Sequence, residues 1–335
     1  LFSILKTEFI KMPQKPLVSV ICVCYNQGNY VSECLQSVLN QDYSPIELII
    51  TDDASTDNSL EKINEFLIEN PSTVFIQNKD NIGHCATFNK GLKIAKGKYI
   101  IDLAADDLLL PNRISQQVAA FEKLDETYAV VFTDAYIINE KGETLNTFYK
   151  RDERGKLTQK VPSGFVYKEL IRKMVISSPT MMMRKSVLDE LGGYDETLSY
   201  EDYDFWVRSS RKYKYHYLDA LLTKKRKVSG SQGIQFYRKA QNQHLASTLK
   251  VCKKAQKLNQ NKVEDLALAV SVGYHLQLAF LTANLDLCKQ FFELLITLKK
   301  PSFKYQLMNT LANLGINVYP LYTIYLKWFR KISLK

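Results

Sequence analysis

Neither a GxxxxGKS/T loop nor a GxGxxG turn occurs in the chain, so the glycine cradles of P-loop enzymes and dinucleotide dehydrogenases are excluded. Any bound phosphate must then be met by a metal and cationic side chains. No run reaches the roughly 18–20 uninterrupted apolar residues of a membrane span. Glycine and proline are sparse, 13 and 9 in 335 residues, and 46% of the chain is hydrophobic. That composition belongs to a packed globular protein and argues against disorder. The six cysteines (22, 24, 34, 85, 252, 288) show neither CxxC spacing nor a His at ligand spacing. They read as reduced, in a cytoplasmic compartment. Cys22 and Cys24 sit two apart in an apolar run and share one face as small core residues. The opening LFSILKTEFIK is too short and too charged for a secretory signal. Met12 reads as a natural start, with residues 1–11 an upstream extension, a loosely docked arm or an amphipathic turn.

What is present is an alternation. LVSVICVC (17–24) is a β-branched apolar run suited to a strand buried on both faces. Helical periodicity follows in NYVSECLQSVLNQ, then a strand in IELIIT (46–51), a helix in SLEKINEFLIEN (59–70) and a strand in STVFIQN. TFNKGLKIAKG reads as a helix closed by Gly97, and KYIIDLA as a fourth strand. Strands separated by helices of this length predict an α/β fold with a mostly parallel sheet. Past Tyr136 come a hairpin-like AYIINEKGETLNTFY, a polar connector, a Met-rich SSPTMMM (177–183) and the acidic SYEDYDFWVR. From Ile234 the chain reads as helical to its end, with breaks near Asn259, Pro301 and Pro320. The expected division is an extension over 1–16, an α/β domain over 17–233 and a basic helical region over 234–335.

Polar residues gather where the strands end: Tyr25 and Asn26, then Asp52 and Asp53, then Asn78 to His84, then Asp106 and Asp107. In open α/β sheets ligands sit beyond the carboxyl ends of the strands, so these clusters mark a site. Adjacent carboxylates oppose each other's ionisation. The pair Asp106–Asp107 therefore suits a hard divalent cation, Mg²⁺ or Mn²⁺, held together with substrate phosphates. Taken alone the pair could equally be a solvated turn, and TDDAST a capping loop.

PLVSVICVCYN, IELIITDDASTDNS, NIGHCATFNKGLKIAKGKYI, the ADD at 105–107, GGYDE and YEDYDFWVR occur in one order over residues 17–232. In that order they resemble family 2 glycosyltransferases of the GT-A fold. The resemblance implies an inverting, metal-dependent transfer of a hexosyl or N-acetylhexosaminyl group. The donor would be a nucleotide sugar, commonly a UDP-sugar, and the acceptor a glycan or lipid-linked hydroxyl in bacterial surface polysaccharide synthesis. It implies Asp53 on the base, Asp106 on the ribose, Asp107 on the cation and Asp202 as general base. Tyr25, Asn26, Asn81, Gly83, Glu201, Trp206 and Arg226 complete the candidate substrate contacts, with Trp206 as core or sugar-stacking residue. His84, near the base pocket, carries a structural or a functional reading. Ala104 departs from the family, which often has Asp there, and Val228 stands where His often falls. Lys224, Lys225, Arg226 and Lys227 are candidates to clamp the diphosphate from a loop hinged at Gly230 and Gly233.

The net charge of +10 lies in the tail: from Ile234 onward there are 15 Lys/Arg against 4 Asp/Glu. Basic helices carrying Trp and Tyr suit a membrane interface. The expectation is packing of the tail on the α/β domain, with peripheral membrane contact at its last helix, at the inner face of the cytoplasmic membrane. No nucleic-acid-binding motif is present. A non-catalytic GT-A-like scaffold or glycan-binding protein is the alternative, favoured by Ala104 and Val228. A nucleotidyltransferase would need a glycine-rich loop where the chain has YNQGNY.

Overall fold

The computed structural model describes residues 15–228 and 232–330. The expected extension over 1–11, the hinge at Gly230 and the last five residues of the tail lie outside the described residues. The chain runs β1 (Val18–Cys24), α1 (Val31–Leu39), β2 (Ile46–Asp52), α2 (Ser59–Glu69), β3 (Val74–Gln77), α3 (His84–Ile94) and β4 (Tyr99–Ala104). It continues with β5 (Leu108–Leu109), α4 (Arg113–Phe121), β6 (Tyr128–Ile138), β7 (Thr144–Thr147), α5 (Tyr167–Arg172), β8 (Met182–Arg184), α6 (Lys185–Glu190) and α7 (Asp202–Ser210). The long β9 (Lys214–Arg226) is followed by helices alone: α8 (Gln232–Gln235), α9 (Gln243–Leu258), α10 (Lys262–Leu281), α11 (Leu285–Leu298), α12 (Phe303–Asn313) and α13 (Tyr319–Tyr325).

One mixed sheet joins the strands in the order β3-β2-β1-β4-β8-β6-β9-β5, with β7 on β6. The first four of that order are parallel, and β8 pairs antiparallel with β4. Every residue of β1 is buried. Val18, Val20, Cys22 and Cys24 face one core with α1, α2 and α4, while Ile21 and Val23 face the other with α3, α5 and α7. This is the two-faced burial that the unbroken apolar run predicts.

Two details differ from the periodicity. The third helix starts at His84 and ends at Ile94, so Gly97 does not close it. Gly97 serves a close approach, since a Cβ there would lie 2.5 Å from the Ser19 amide nitrogen and 2.8 Å from the Tyr99 carbonyl oxygen. Lys224 to Arg226 form the end of β9 rather than a loop. The break expected near Pro320 falls between Asn313 and Tyr319, and Pro320 lies in the first turn of α13, where a missing N–H costs nothing.

The helical region docks through polar anchors set in an apolar seam. Lys254 of α9 reaches Asp204 of α7 at 2.6 Å and Asp195 at 2.5 Å. Tyr200 bonds Thr248 at 2.6 Å, and Tyr167 donates to the Ala255 carbonyl at 3.1 Å. Packing is thus the tail's main role. Asp204 is almost wholly buried and shares its charge between Lys254 and Arg208. Lys254→Met should therefore destabilise the fold by about 2 kcal/mol, as expected for losing charged hydrogen bonds to a buried carboxylate. Urea unfolding of the variant and the parent checks this.

Candidate active site

Parallel register brings four strand ends together, with Cys24 beside Asp52 and Val23 beside Ala104. The loops there are stitched to one another. Asn26, at φ 53°, donates its N–H to Ser55 Oγ at 2.9 Å and accepts from the Thr56 N–H at 2.8 Å. Asp52 accepts from the Ser55 N–H at 2.9 Å. Asp53 is buried, and its carboxylate accepts from Asn78 Nδ2 at 3.0 Å and from the N–H groups of Ile82 at 2.8 Å and Gly83 at 2.9 Å. Three of its four or so lone-pair positions are taken internally, so its first task is to hold the 78–83 loop. That loop, with Tyr25, Ser55 and Thr56, lines a cleft of about 720 Å³ in which Asn78 and Asn81 also stand. Gly83 has φ 87° and ψ 158°, a conformation close to glycine-only, and so fits the sharp entry into α3.

At the end of β4, Asp107 is buried and accepts the Arg226 N–H at 2.8 Å. Burial first, then the neighbouring Asp106 charge, pushes its carboxyl up to about 8. Burial likewise raises Asp106. Among the described residues neither side chain forms an ion pair, and Ala104 contributes no ligand. Two hard oxygen donors short of compensating charge fit a Mg²⁺ or Mn²⁺ ion. Arg226 is not available to clamp a diphosphate, which corrects that expectation. Its guanidinium is 2% exposed, bound to Glu33 at 2.8 Å and to the Asp106 carbonyl at 3.0 Å, and lies 4.7 Å over the Tyr30 ring. Its backbone N–H, not its charge, serves the site.

Across from this pair, α7 begins with Glu201 and Asp202. Asp202 Oδ1 is buried with no hydrogen-bond partner among the described residues. Burial and the Glu201 charge push its carboxyl up to about 7, while Lys225 and His84 pull the other way. Lys225, at the end of β9, acts on Asp106, Asp107, Glu201 and Asp202 alike. The Lys225 charge thus favours the ionised form of all four carboxyls. Trp206 is no sugar platform: it is fully buried, with Nε1 donating to Met181 Sδ at 3.1 Å. Met181, Met182 and Met183 are likewise core, and Asp204 is an ion-pair anchor.

One residue of the site escapes the sequence reading, while Lys225 is among its candidate clamps, in a run expected to be a loop. Asp102 lies inside an apolar strand, where a lone charge is itself the signal. Its Oδ2 is 3.1 Å from His84 Nε2, accepts from Tyr194 Oη at 3.1 Å, and shares the His84 ring with Glu201 Oε2 at 3.8 Å. His84, Asp102 and Glu201 form the one group of three among the described residues whose ligand atoms lie within 4.8 Å, a spacing that a cation could bridge. Burial opposes charge on the imidazole, yet Asp102 and Glu201 outweigh it and push His84 up to about 10. Protonated, the ring sets one positive charge between the two carboxylates.

A mostly parallel sheet in which β2 and β4 bring acidic side chains to one edge, without a glycine cradle, fits the GT-A fold. The chain belongs to glycosyl transferase family 2, whose sequence model matches residues 19–192. It is 32% identical over 215 residues to an uncharacterized glycosyltransferase of Methanocaldococcus jannaschii, covering 63% of this chain and 71% of that one. Of a Rickettsia felis glycosyltransferase, 30% identical, it spans 34% of the length. The fold resembles S. aureus TarS 1-349 in complex with UDP-GlcNAc, with TM-score 0.65 and 19% identity over 94% of this chain and 91% of that one. It also resembles the Pyrobaculum calidifontis mannosyltransferase PcManGT in complex with GDP-Man and Mn²⁺, with TM-score 0.55 and 14% identity over 94% and 88%.

Gly83→Ala should cost about 1–3 kcal/mol in strain. It should also loosen the loop that Asp53 holds. Melting measurements with and without UDP should show both a lower midpoint and a smaller rise on adding the nucleotide.

Proposed function

We propose that the chain is an inverting glycosyltransferase that carries a sugar from a UDP-sugar to a glycan or lipid-linked hydroxyl, in surface polysaccharide synthesis. The observation that carries this reading is the buried Asp202 Oδ1, which has no hydrogen-bond partner among the described residues, on a carboxyl raised to about 7. The base and ribose of the donor would lie in the cleft beside Tyr25 and Asn81, with Asp106 facing the ribose. Asp107, with Asp106 beside it, would hold the Mn²⁺ or Mg²⁺ ion. When bound, such an ion stabilises negative charge on the departing diphosphate. Lys225 adds a second positive charge on the same side. Asp202 takes the proton from the acceptor oxygen as that oxygen attacks the anomeric carbon. Inversion needs one base and no covalent intermediate, so one carboxylate suffices. The titration of Asp202 near 7 suits it to that exchange.

Asp202→Asn should reduce transfer by about 10²–10⁴-fold while UDP affinity stays within about twofold. The measurement is free UDP, GDP or dTDP released from a panel of nucleotide sugars with Mn²⁺. In the parent enzyme the base must be ionised, so kcat/KM should fall as the pH drops through about 7. Normal turnover by Asp202→Asn overturns the assignment.

Peripheral contact with an anionic membrane, on the cytoplasmic side, extends the same proposal. No helix of the described residues is long and apolar enough to cross a membrane. Near its end the chain exposes Phe303 (78%), Leu321 (71%) and Trp328 (75%), with Lys304 and Lys327 beside them in sequence. Exposed rings among cations suit headgroup depth. Of the two tryptophans Trp206 is buried, so a change in emission on adding vesicles reports Trp328. Vesicles containing phosphatidylglycerol should blue-shift the emission and neutral vesicles should not, and Trp328→Ala should remove the response.

A further inference from the structure

Glu201 and Asp202 are neighbours in sequence at the entrance to α7, and both are held away from solvent. Two adjacent carboxylates in such a place resist joint ionisation. A base flanked by Glu201 thus needs a fixed positive charge on the Glu201 side. Lys225 faces the pair from β9. The other charge comes from inside the fold.

His84 stands at the first residue of α3, and its Nε2 lies 3.1 Å from Asp102 Oδ2 and 3.8 Å from Glu201 Oε2. Asp102 is steadied in turn by the Tyr194 hydroxyl at 3.1 Å. The backbone that delivers His84 is fixed one residue earlier, where the Gly83 N–H donates to Asp53 at 2.9 Å. A continuous chain of contacts therefore runs from the nucleotide-side loop, through Gly83 and His84, to the start of α7. Strand alternation puts Asp102 on the same face of β4 as Ile100 and Ala104, the face that packs with α3 and α7.

We propose that His84, locked by Asp102, is a positioning residue for the transfer reaction: its charge neutralises Glu201 and fixes the α7 entrance, so that Asp202 is presented ionised to the acceptor hydroxyl. This deepens the reading of Asp202 as base and rests on it. His84 touches neither substrate nor reacting atoms. It acts through Glu201 and through the placement of the helix that carries the base. Asp102 holds the imidazole in one orientation and keeps it charged, so the two residues work as a unit.

The test is a double-mutant cycle of His84→Gln, Asp102→Asn and the double variant. It is read as nucleotide released with Mn²⁺ from the nucleotide sugar that the parent turns over. Expected is a loss of about 10- to 100-fold in kcat for His84→Gln, with KM and UDP affinity within about threefold of the parent. The double variant should be no slower than His84→Gln by more than about threefold, because residues that act as one unit are not additive. Unchanged kcat in His84→Gln overturns the proposal. So do losses that multiply in the double variant, or a loss confined to nucleotide affinity and melting temperature. Titration with Mn²⁺ alone is the control for a cation among these three residues, and weaker Mn²⁺ binding by His84→Gln would replace the proposal with a metal site. Asp202→Asn is run in parallel: its normal turnover sinks the base assignment itself, whereas an inactive Asp202→Asn beside an unaffected His84→Gln sinks only the role of His84.

Discussion

Too many carboxylates for the available cations, at the carboxyl end of one sheet, is the constraint on which the rest of the molecule turns. Asp102, Asp106, Asp107, Glu201 and Asp202 come from β4 and the start of α7, and Lys225 and His84 are the charges that face them. Arg226, the nearest guanidinium to Asp106 and Asp107, is spent on Glu33 and on backbone carbonyls. The carboxyls of Asp106, Asp107, Glu201 and Asp202 are thereby raised above their ordinary values, so that a bound cation or a proton can supply the missing charge.

Holding such a cluster requires a stiff frame, and the fold supplies it from both faces of the sheet. β1 and its neighbours are buried on both sides, so the strand ends cannot spread. α7 is pinned by Trp206 in the core and by Asp204 to α9. The helical tail is thus more than an appendage, because it braces the element that carries Asp202. Its far end is different: α12 and α13 leave Phe303, Leu307, Leu321, Ile324 and Tyr325 exposed.

Much of the frame was legible. The apolar run 17–24, the helical periods after it and the polar residues at each strand end led to four parallel strands and to the edge where they end. Departures came where distant contacts overrode local signals. The basic run at 224–227 reads as a loop; Lys224 to Arg226 instead end β9, because β6 offers a parallel partner and β5 an antiparallel one. Gly97 reads as a helix stop but is needed for the approach of β1. Trp206 and Arg226 have the chemistry of ligand contacts, and burial removed both from that role.

The order of motifs, the α/β alternation and the family were determined by the sequence alone, because hydrophobic periodicity and strand-end polarity are local properties. Which carboxylates face one another, which cations remain for a ligand, and that Asp102 meets His84 and Glu201 were decided only by the tertiary structure. Burial and charge compensation depend on residues tens to hundreds of positions apart, such as Arg226 and Glu33, and no window of sequence contains both.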